Sequence, residues 1–239
     1  MLEVRNLNVC YGATEVLRDV SFDVAPGRVT ALLGGNGSGK STVLNALSGL
    51  VVPRAGTIRI DGRDVAGRSP ADVVRSGIVQ VPQGREVVPE MTVADNLELG
   101  AATRRDWAAI KSDEEAIYRR FPQLQALKSR RAGALSGGEQ TQLSIGRALL
   151  ARPRVLLMDE PSVGLSPNVV DVMIDIIKQL NAEGLTVLLV EQNVGVAAEL
   201  ADDVYILKDG AIGFRGAADN IINNEEILAS YLRRLTLYI

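Results

Sequence analysis

A glycine-rich segment, GGNGSGKST at residues 34–42, constrains the fold of this chain more than any other feature. It follows a short apolar run at residues 29–33, which is typical of a strand buried on both faces, and it precedes a helical pattern that ends near Gly49. A strand, a glycine-rich loop and a helix in this order place backbone N–H groups and a helix N-terminus around one point, an arrangement that binds phosphate. The alternative is a glycine-rich turn that merely precedes a lysine.

The segment fits the pattern G-x-x-x-x-G-K-[ST], in which each residue type has a role in nucleotide binding. Lys40 is expected to reach the β- and γ-phosphates, Ser41 to ligate Mg²⁺ and Thr42 to donate to the α-phosphate. The predicted nucleotide-binding residues of this loop are Gly34, Asn36, Gly37, Ser38, Gly39, Lys40, Ser41 and Thr42.

Two acidic residues end a second apolar run, VLLMDE at residues 155–160. Because the carboxyl ends of parallel strands meet at one edge of a sheet, these residues are expected beside the glycine-rich segment at residues 34–42, the phosphate loop. Asp159 is predicted to hold Mg²⁺, directly or through water, and Glu160 to orient or deprotonate the attacking water. The alternative is that both carboxylates only cap the connection between strand and helix.

The rest of the chain predicts an α/β fold with a largely parallel sheet. Short apolar strands alternate with amphipathic helices, as at residues 167–183 and 186–190. Residues from about 84 to 152 carry long polar and helical patterns, which predict an inserted helical subdomain. The nucleotide-binding core is therefore assigned to residues 1–83 and 153–239 of a single domain that spans residues 1–239.

Composition excludes several function classes. The chain has no histidine and one cysteine, Cys10, which rules out a Ser-His-Asp triad, histidine-ligated zinc and an internal disulfide. A net charge of −3 disfavours a nucleic-acid partner held by bulk charge. No apolar run approaches the roughly 18–20 residues of a membrane span, and the N-terminus lacks a secretion pattern, so a reducing compartment is expected.

A third motif, LSGGEQ at residues 135–140, opens an amphipathic pattern before the acidic strand. Taken alone it is a helix cap, with Ser136 as N-cap and Glu139 at the third helical position. Together with the phosphate loop and the acidic strand, it resembles the signature sequence of the ATP-binding subunits of ABC transporters. The residues assigned to this signature are Ser136, Gly137, Gly138, Glu139 and Gln140.

The resemblance implies a fold, a reaction and partners. The fold is a P-loop NTPase core with a mostly parallel sheet, an N-terminal antiparallel β subdomain and an inserted helical subdomain. The cofactors are ATP and Mg²⁺; ATP binding closes a head-to-tail dimer, because the signature of one subunit meets the γ-phosphate held by another, and hydrolysis reopens it. The partners are a second ATPase subunit (identical or different), two transmembrane permease subunits and, indirectly, a solute-binding protein. The implied location is the cytoplasmic face of the inner membrane.

The resemblance also assigns residues outside the three motifs. Tyr11 matches the aromatic residue that stacks on adenine; the alternative is an ordinary half-buried strand tyrosine. Gln83 matches the glutamine that contacts Mg²⁺ or the attacking water and links to the membrane partner; the alternative is a solvated loop amide. Val87, Val88 and Pro89 would form part of the groove that receives a permease helix, unless they are a local packing cluster.

Two positions depart from the family pattern. Gln192 stands where the family usually has a histidine that bonds the γ-phosphate, and Ser166 stands where many relatives have aspartate. A glutamine amide donates a hydrogen bond to phosphate but cannot shuttle a proton. The expected catalytic residues are therefore Glu160 as sole base, with Lys40 and Gln192 holding phosphate, and turnover is expected to be slow.

The segments around these departures are similar to one branch of the family. VEQN at residues 190–193 and PSVGLSP at residues 161–167 resemble the smaller ATPase subunit of branched-chain amino acid importers, which has close relatives that serve urea and short amides. Two other hypotheses remain: a soluble ABC-type ATPase that acts on DNA or ribosomes, and a regulatory subunit that binds ATP without hydrolysing it. The first usually carries coiled coils, paired halves or basic arms, and none of these patterns is present in the sequence.

Overall fold

The computed structural model describes residues 1–84, 86–222 and 224. The strands are β1 (Leu2–Tyr11), β2 (Thr14–Val24), β3 (Val29–Leu33), β4 (Ala55–Ile60), β5 (Arg63–Asp64), β6 (Ile78–Val81), β7 (Val155–Asp159), β8 (Thr186–Glu191), β9 (Asp203–Lys208) and β10 (Ala211–Ala217). The helices are α1 (Lys40–Leu47), α2 (Pro70–Ser76), α3 (Val93–Leu99), α4 (Trp107–Arg120), α5 (Pro122–Ala126), α6 (Gly137–Leu150), α7 (Pro167–Ala182), α8 (Val194–Leu200) and α9 (Ala218–Ile222), with a 3-10 turn at Ala132–Ala134.

The described strands form two sheets. The first has the order β2-β1-β4-β5 and is antiparallel throughout. The second has the order β10-β9-β3-β8-β7-β6 and is parallel except for the outer strand β10, which forms a hairpin with β9. The mostly parallel sheet and the N-terminal antiparallel sheet agree with the predicted fold.

The six-stranded sheet is covered on both faces, which explains why its strands are apolar without alternation. In β7, Val155 and Leu157 pack towards the antiparallel sheet and α1, whereas Leu156 and Met158 pack against the helices on the opposite face. Every residue of β3, β7 and β8 is buried. The sheet is therefore a rigid layer on which the loops at its edges are placed.

Helices α3 to α6 lie in the chain between β6 and β7 and form one packed group. Leu97 of α3, Ile117 of α4, Leu124 of α5 and Leu143 of α6 belong to one buried cluster, which also contains residues of β7. This group is the helical insertion predicted from the polar, strand-free pattern. None of the helices in the described residues is long and apolar enough to cross a membrane.

Candidate nucleotide-binding site

The carboxyl ends of four neighbouring parallel strands bring most of the predicted site residues to one edge of the sheet. The register pairs Leu33 with Glu191 at the ends of β3 and β8, and Asp159 with Val190 at the ends of β7 and β8. The loops that leave β3, β8, β7 and β6 carry, in that order, the phosphate loop, Gln192, Glu160 and Gln83. Ligands of open α/β sheets bind in the crevice at this edge.

The phosphate loop depends on glycine at both of its ends. Gly39, the N-cap of α1, has φ 107°, and a Cβ there would lie 2.7 Å from Cδ2 of Leu17. A Cβ on Gly34 would lie 2.6 Å from the carbonyl oxygen of Leu207. No side chain caps α1, so the N–H groups of its first turn face the crevice without an intrahelical acceptor. This geometry suits an anion.

Lys40 is buried at the start of α1 and lies across its own loop. Its Nζ donates to the carbonyl oxygens of Gly34 (2.9 Å) and Gly35 (3.1 Å), and it forms an ion pair with Oε1 of Glu160 (3.0 Å). Both partners of the pair are buried, so each charge offsets the cost of desolvating the other. The structure thus brings the predicted phosphate-binding ammonium into contact with the predicted base.

Glu160 is held on two further sides. Its backbone N–H donates to the carbonyl oxygen of Val190 (2.8 Å), and its Oε2 accepts from Nε2 of Gln83 (3.2 Å). Its φ of 42° is in the left-handed region, which non-glycine residues rarely adopt and which the surrounding structure must therefore maintain. The contact of Gln83 with Glu160 shows that Gln83, although exposed, is not a detached loop amide.

Asp159 has the features of a cation ligand. It is 8% exposed, and among the described residues its buried Oδ1 has no hydrogen-bond partner. Burial, reinforced by the nearby charge of Glu160, raises the pKa of Asp159 to about 6. Ser41, Gln83 and Asp159 line one cleft of about 520 Å³. A carboxylate with an orphaned oxygen, on a residue that lines the same cleft as a hydroxyl and an amide, fits Mg²⁺, which prefers oxygen ligands.

The cation would need further oxygen ligands. Within the residues that the structure describes, no three acidic, histidine or cysteine side chains are placed to hold a metal by themselves. Mg²⁺ is commonly bound through one or two carboxylates together with substrate phosphates. The residues present therefore fit an ion that arrives with a nucleotide.

Tyr11 lies at the tip of the β1–β2 hairpin and is 48% exposed. The same hairpin carries Leu17, whose side chain contacts the phosphate loop at Gly39. About half of the residue is thus exposed, and it sits on an element that touches the loop. Adenine stacking by Tyr11 stays a prediction.

The signature residues lie at the start of α6, in the helical insertion. Ser136 Oγ accepts from the N–H of Glu139 (3.4 Å), and Glu139 Oε2 accepts from the N–H of Ser136 (2.7 Å). This is the predicted capping box at the start of α6. Gln140 Nε2 donates to Ala132 O (3.2 Å), within the same helical region. Their role towards a nucleotide stays a prediction.

The groove expected at residues 87–89 is partly a packing cluster. Val88 exchanges two hydrogen bonds with the side chain of Asn96, and Val87 packs against the helical core. The cleft beside Gln83 is lined instead by Leu50 and Val74, among others, and Leu50 is 63% exposed. Leu50 had no predicted role, although an apolar residue just beyond a helix-ending glycine was a signal available in the sequence.

Glu191 also had no predicted role. This acidic residue ends the otherwise apolar run TVLLVE of β8, yet it is completely buried and bonded to three backbone N–H groups. A charged residue inside an apolar strand pattern was the signal for it.

Comparisons with known proteins agree with this geometry. A family model described as ABC transporter matches residues 17–163. The high-affinity branched-chain amino acid transport ATP-binding protein BraG of Pseudomonas aeruginosa is 40% identical, and the alignment covers 97% of this chain and 99% of that protein. The probable branched-chain amino acid transport ATP-binding protein LivF of Archaeoglobus fulgidus is 37% identical over 95% of this chain and 96% of that protein.

Two solved structures extend the comparison to three dimensions. An ATP-binding cassette of an ABC transporter in its ADP conformation superposes with a TM-score of 0.86 at 29% identity, covering 95% of this chain and 96% of that chain. A bacterial ABC transporter cassette solved as a dimer has a TM-score of 0.79 at 25% identity, covering 91% and 99% of the two chains. The resemblance inferred from the three motifs is confirmed. This chain belongs to the ABC transporter family, as one of its ATP-binding, ATP-hydrolysing subunits.

Proposed function

We propose that this chain is the ATPase subunit of an importer for branched-chain amino acids. In this proposal MgATP closes a head-to-tail pair of ATPase subunits and hydrolysis reopens it. The observation that supports the proposal is the ion pair of Lys40 with Glu160 at the end of β7. It brings into contact the ammonium and the carboxylate to which the proposal gives phosphate binding and proton transfer. The solute is inferred from the names of the BraG and LivF relatives.

In the proposed mechanism, ATP takes over the contacts that Lys40 makes with its own chain. The ammonium would exchange Glu160 and the carbonyl oxygens of Gly34 and Gly35 for phosphate oxygens, assisted by the N–H groups that open α1. Glu160 is then released to accept a proton from the attacking water, while its backbone stays fixed to Val190.

Mg²⁺ would be held by the hydroxyl of Ser41 and the carboxylate of Asp159, with Gln83 at the same cleft. When bound, the ion neutralises charge that develops on the phosphate oxygens. Gln192 would donate its amide N–H to the γ-phosphate. Tyr11 would stack on adenine from the β1–β2 hairpin.

The proposed partners follow from two surfaces. The start of α6, with Ser136, Gly137 and Gly138, would close on the γ-phosphate held by a second ATPase subunit; a related cassette solved as a dimer supports this arrangement. The cleft beside Gln83, with exposed Leu50 at its side, would receive a cytoplasmic helix of a permease. Two permeases and a solute-binding protein would place this chain at the cytoplasmic face of the inner membrane.

ATP hydrolysis and dimer formation are tested with Glu160→Gln, which preserves the shape of the side chain and removes the proposed base. We expect ATP hydrolysis to fall by at least about a hundredfold, since general bases contribute that much or more. The variant should elute as a dimer with MgATP and as a monomer with MgADP. Glu199→Gln, on the exposed face of α8, is the matched control. Full hydrolysis by Glu160→Gln would assign the base to another residue.

The solute is tested separately. The complex purified through this chain is reconstituted in vesicles with its binding protein, and ATP-driven uptake of labelled leucine and of labelled urea is measured. Leucine uptake that stops with Lys40→Ala supports the proposal. Uptake of urea without uptake of leucine would reassign the solute and leave the proposed ATPase activity unchanged.

A further inference from the structure

Glu191 at the end of β8 is a fully buried acid for which the mechanism above has no use. Its side chain is 0% exposed. Oε1 accepts from the backbone N–H of Ser162 (3.1 Å), and Oε2 accepts from the backbone N–H groups of Gln192 (3.1 Å) and Asn193 (3.2 Å). Both carboxylate oxygens are therefore used by main-chain donors, and the side chain of Ser162 interacts with the same carboxylate.

The two oxygens serve two different loops. Ser162 lies in the loop that follows Glu160, whereas Gln192 and Asn193 open the loop that follows β8. Val190, the residue before Glu191, binds Glu160 itself, since its carbonyl oxygen accepts from the N–H of Glu160 (2.8 Å). The base and the loop of Gln192 are thus joined through two consecutive residues of one strand.

On the basis of the function proposed above, we propose that Glu191 is a positioning residue that ties Gln192 to the loop following the base. The tie makes the two loops move as one unit, so that the amide of Gln192 reaches the γ-phosphate when Glu160 faces the attacking water. Glu191 touches no nucleotide and acts only through its neighbours.

The chemistry of the site requires a carboxylate. A buried charge is costly unless hydrogen bonds compensate it. Burial raises the pKa of Glu191, while hydrogen bonds from the side chain of Ser162 and from the three backbone N–H groups favour the ionised form. A glutamine offers one oxygen, and its NH₂ group would face N–H donors at the other loop. An aspartate is one methylene shorter and cannot span both loops. The tie matters more because Gln192 lacks an imidazole and contributes by position alone.

The first experiment compares Glu191→Gln with the wild type in steady-state ATPase assays. We expect kcat to fall at least about tenfold, while KM and the affinity for a fluorescent ATP analogue change less than about twofold, because Lys40 and the start of α1 are untouched. Glu191→Asp should show the same loss of kcat. Glu199→Gln on α8 serves as the control that removes an exposed carboxylate.

The second experiment is a double-mutant cycle with Gln192→Ala. If Glu191 acts through Gln192, this substitution lowers kcat strongly in the wild type and little in Glu191→Gln. Additive losses, or wild-type kcat in both Glu191→Gln and Glu191→Asp, would overturn the inference. So would a loss of ATP affinity parallel to a lowered Tm, which indicates a merely structural role. A wild-type protein that does not hydrolyse ATP contradicts the proposed function instead, so the two failures are distinguishable.

Discussion

Two helices of this chain begin at a glycine-rich motif, and they are capped in opposite ways. α1 follows Gly39, which adopts a left-handed φ and supplies no side-chain cap. α6 follows Ser136, and there the Ser136–Glu139 capping box satisfies part of the helix start. The same local chemistry thus produces one open helix N-terminus and one that is already partly occupied by its own side chains.

The charged residues at the two helix starts also differ, and they too favour phosphate binding at α1. Lys40 opens α1 and adds a full positive charge to the helix dipole, whereas Glu139 adds a negative charge to the first turn of α6. An isolated phosphate is therefore expected to bind at α1 and not at α6. In the proposed dimer, the α6 start would contact phosphate only when a second subunit presents a nucleotide that is already bound.

The largest expected effect is at the open helix. Lys40→Ala removes the charge that phosphate would meet, and we expect ATP affinity to fall by roughly a hundredfold or more, in line with the loss of a buried charged hydrogen bond of ~3 kcal/mol. Titration calorimetry with MgATP measures this. Lys178→Ala, which removes an exposed ammonium on α7, is the control. Unchanged affinity in Lys40→Ala would contradict the assignment of the phosphate loop.

The capped helix is tested with Gly138→Asp. A Cβ at Gly138 would make ordinary contacts of 3.6 Å with Val169, so the side chain fits. Because acidic residues stabilise a first helical turn by about 0.3–1 kcal/mol, Tm should stay equal or rise. ATPase activity should fall by about a hundredfold through repulsion of the partner's phosphate, while ATP affinity of the single subunit is retained.

Gly138→Asn is the uncharged control for that variant and should lose less activity. Normal hydrolysis by Gly138→Asp, measured at a protein concentration that supports dimers, would show that α6 does not meet phosphate.

A third, smaller effect is expected at Asp159, the predicted Mg²⁺ ligand. The pKa of Asp159 is raised to about 6, above its ordinary value near 3.8, so the folded state holds the proton more tightly than the unfolded state. Asp159 therefore costs stability increasingly as pH rises from about 4 to about 6, and the cost is constant above that. Asp159→Asn should stabilise the nucleotide-free protein by about 2–3 kcal/mol near pH 7 and by almost nothing near pH 4.

Urea unfolding at the two pH values, without Mg²⁺, measures this difference. The same variant should lose Mg²⁺-dependent hydrolysis. A stability difference that does not vary with pH would show that the raised pKa is not the cause.

The smallest effect is expected at Gln192. Gln192→His restores a side chain that can both donate to phosphate and carry a proton, and we expect kcat to rise by a few-fold, about 1 kcal/mol of barrier. The assay is steady-state hydrolysis with saturating MgATP. A lower kcat would contradict the interpretation that Gln192 limits turnover.

Much of the site could be predicted from sequence because its parts are local. The loop GGNGSGKST needs only its own glycines and the flanking strand and helix, and the box Ser136–Glu139 spans one helical turn. The strand that ends in Asp159 can be recognised in the sequence as an apolar run that ends in acidic residues. Patterns of this kind are short-range, and the structure confirms the elements that they predicted.

Contacts between distant segments could not be predicted in this way. Nothing in the local sequence indicates that Gln83 bonds Glu160, that Lys40 pairs with the same carboxylate, or that Val88 is held by Asn96. Glu191 had no predicted role because an acid at the end of an apolar strand ordinarily faces solvent, and only the packing of two loops around it makes it a buried acceptor.

The amino-acid sequence by itself determined the fold class, the phosphate loop, the capped helix and the acids of β7, because hydrophobic period, glycine placement and capping act within a few residues. The tertiary structure decided which of these parts meet. The parallel order β3-β8-β7-β6 aligns four strand ends at one edge, and this alignment arises from the burial of both faces of the sheet. It brings Lys40, Glu160 and the loop of Gln192 to that edge.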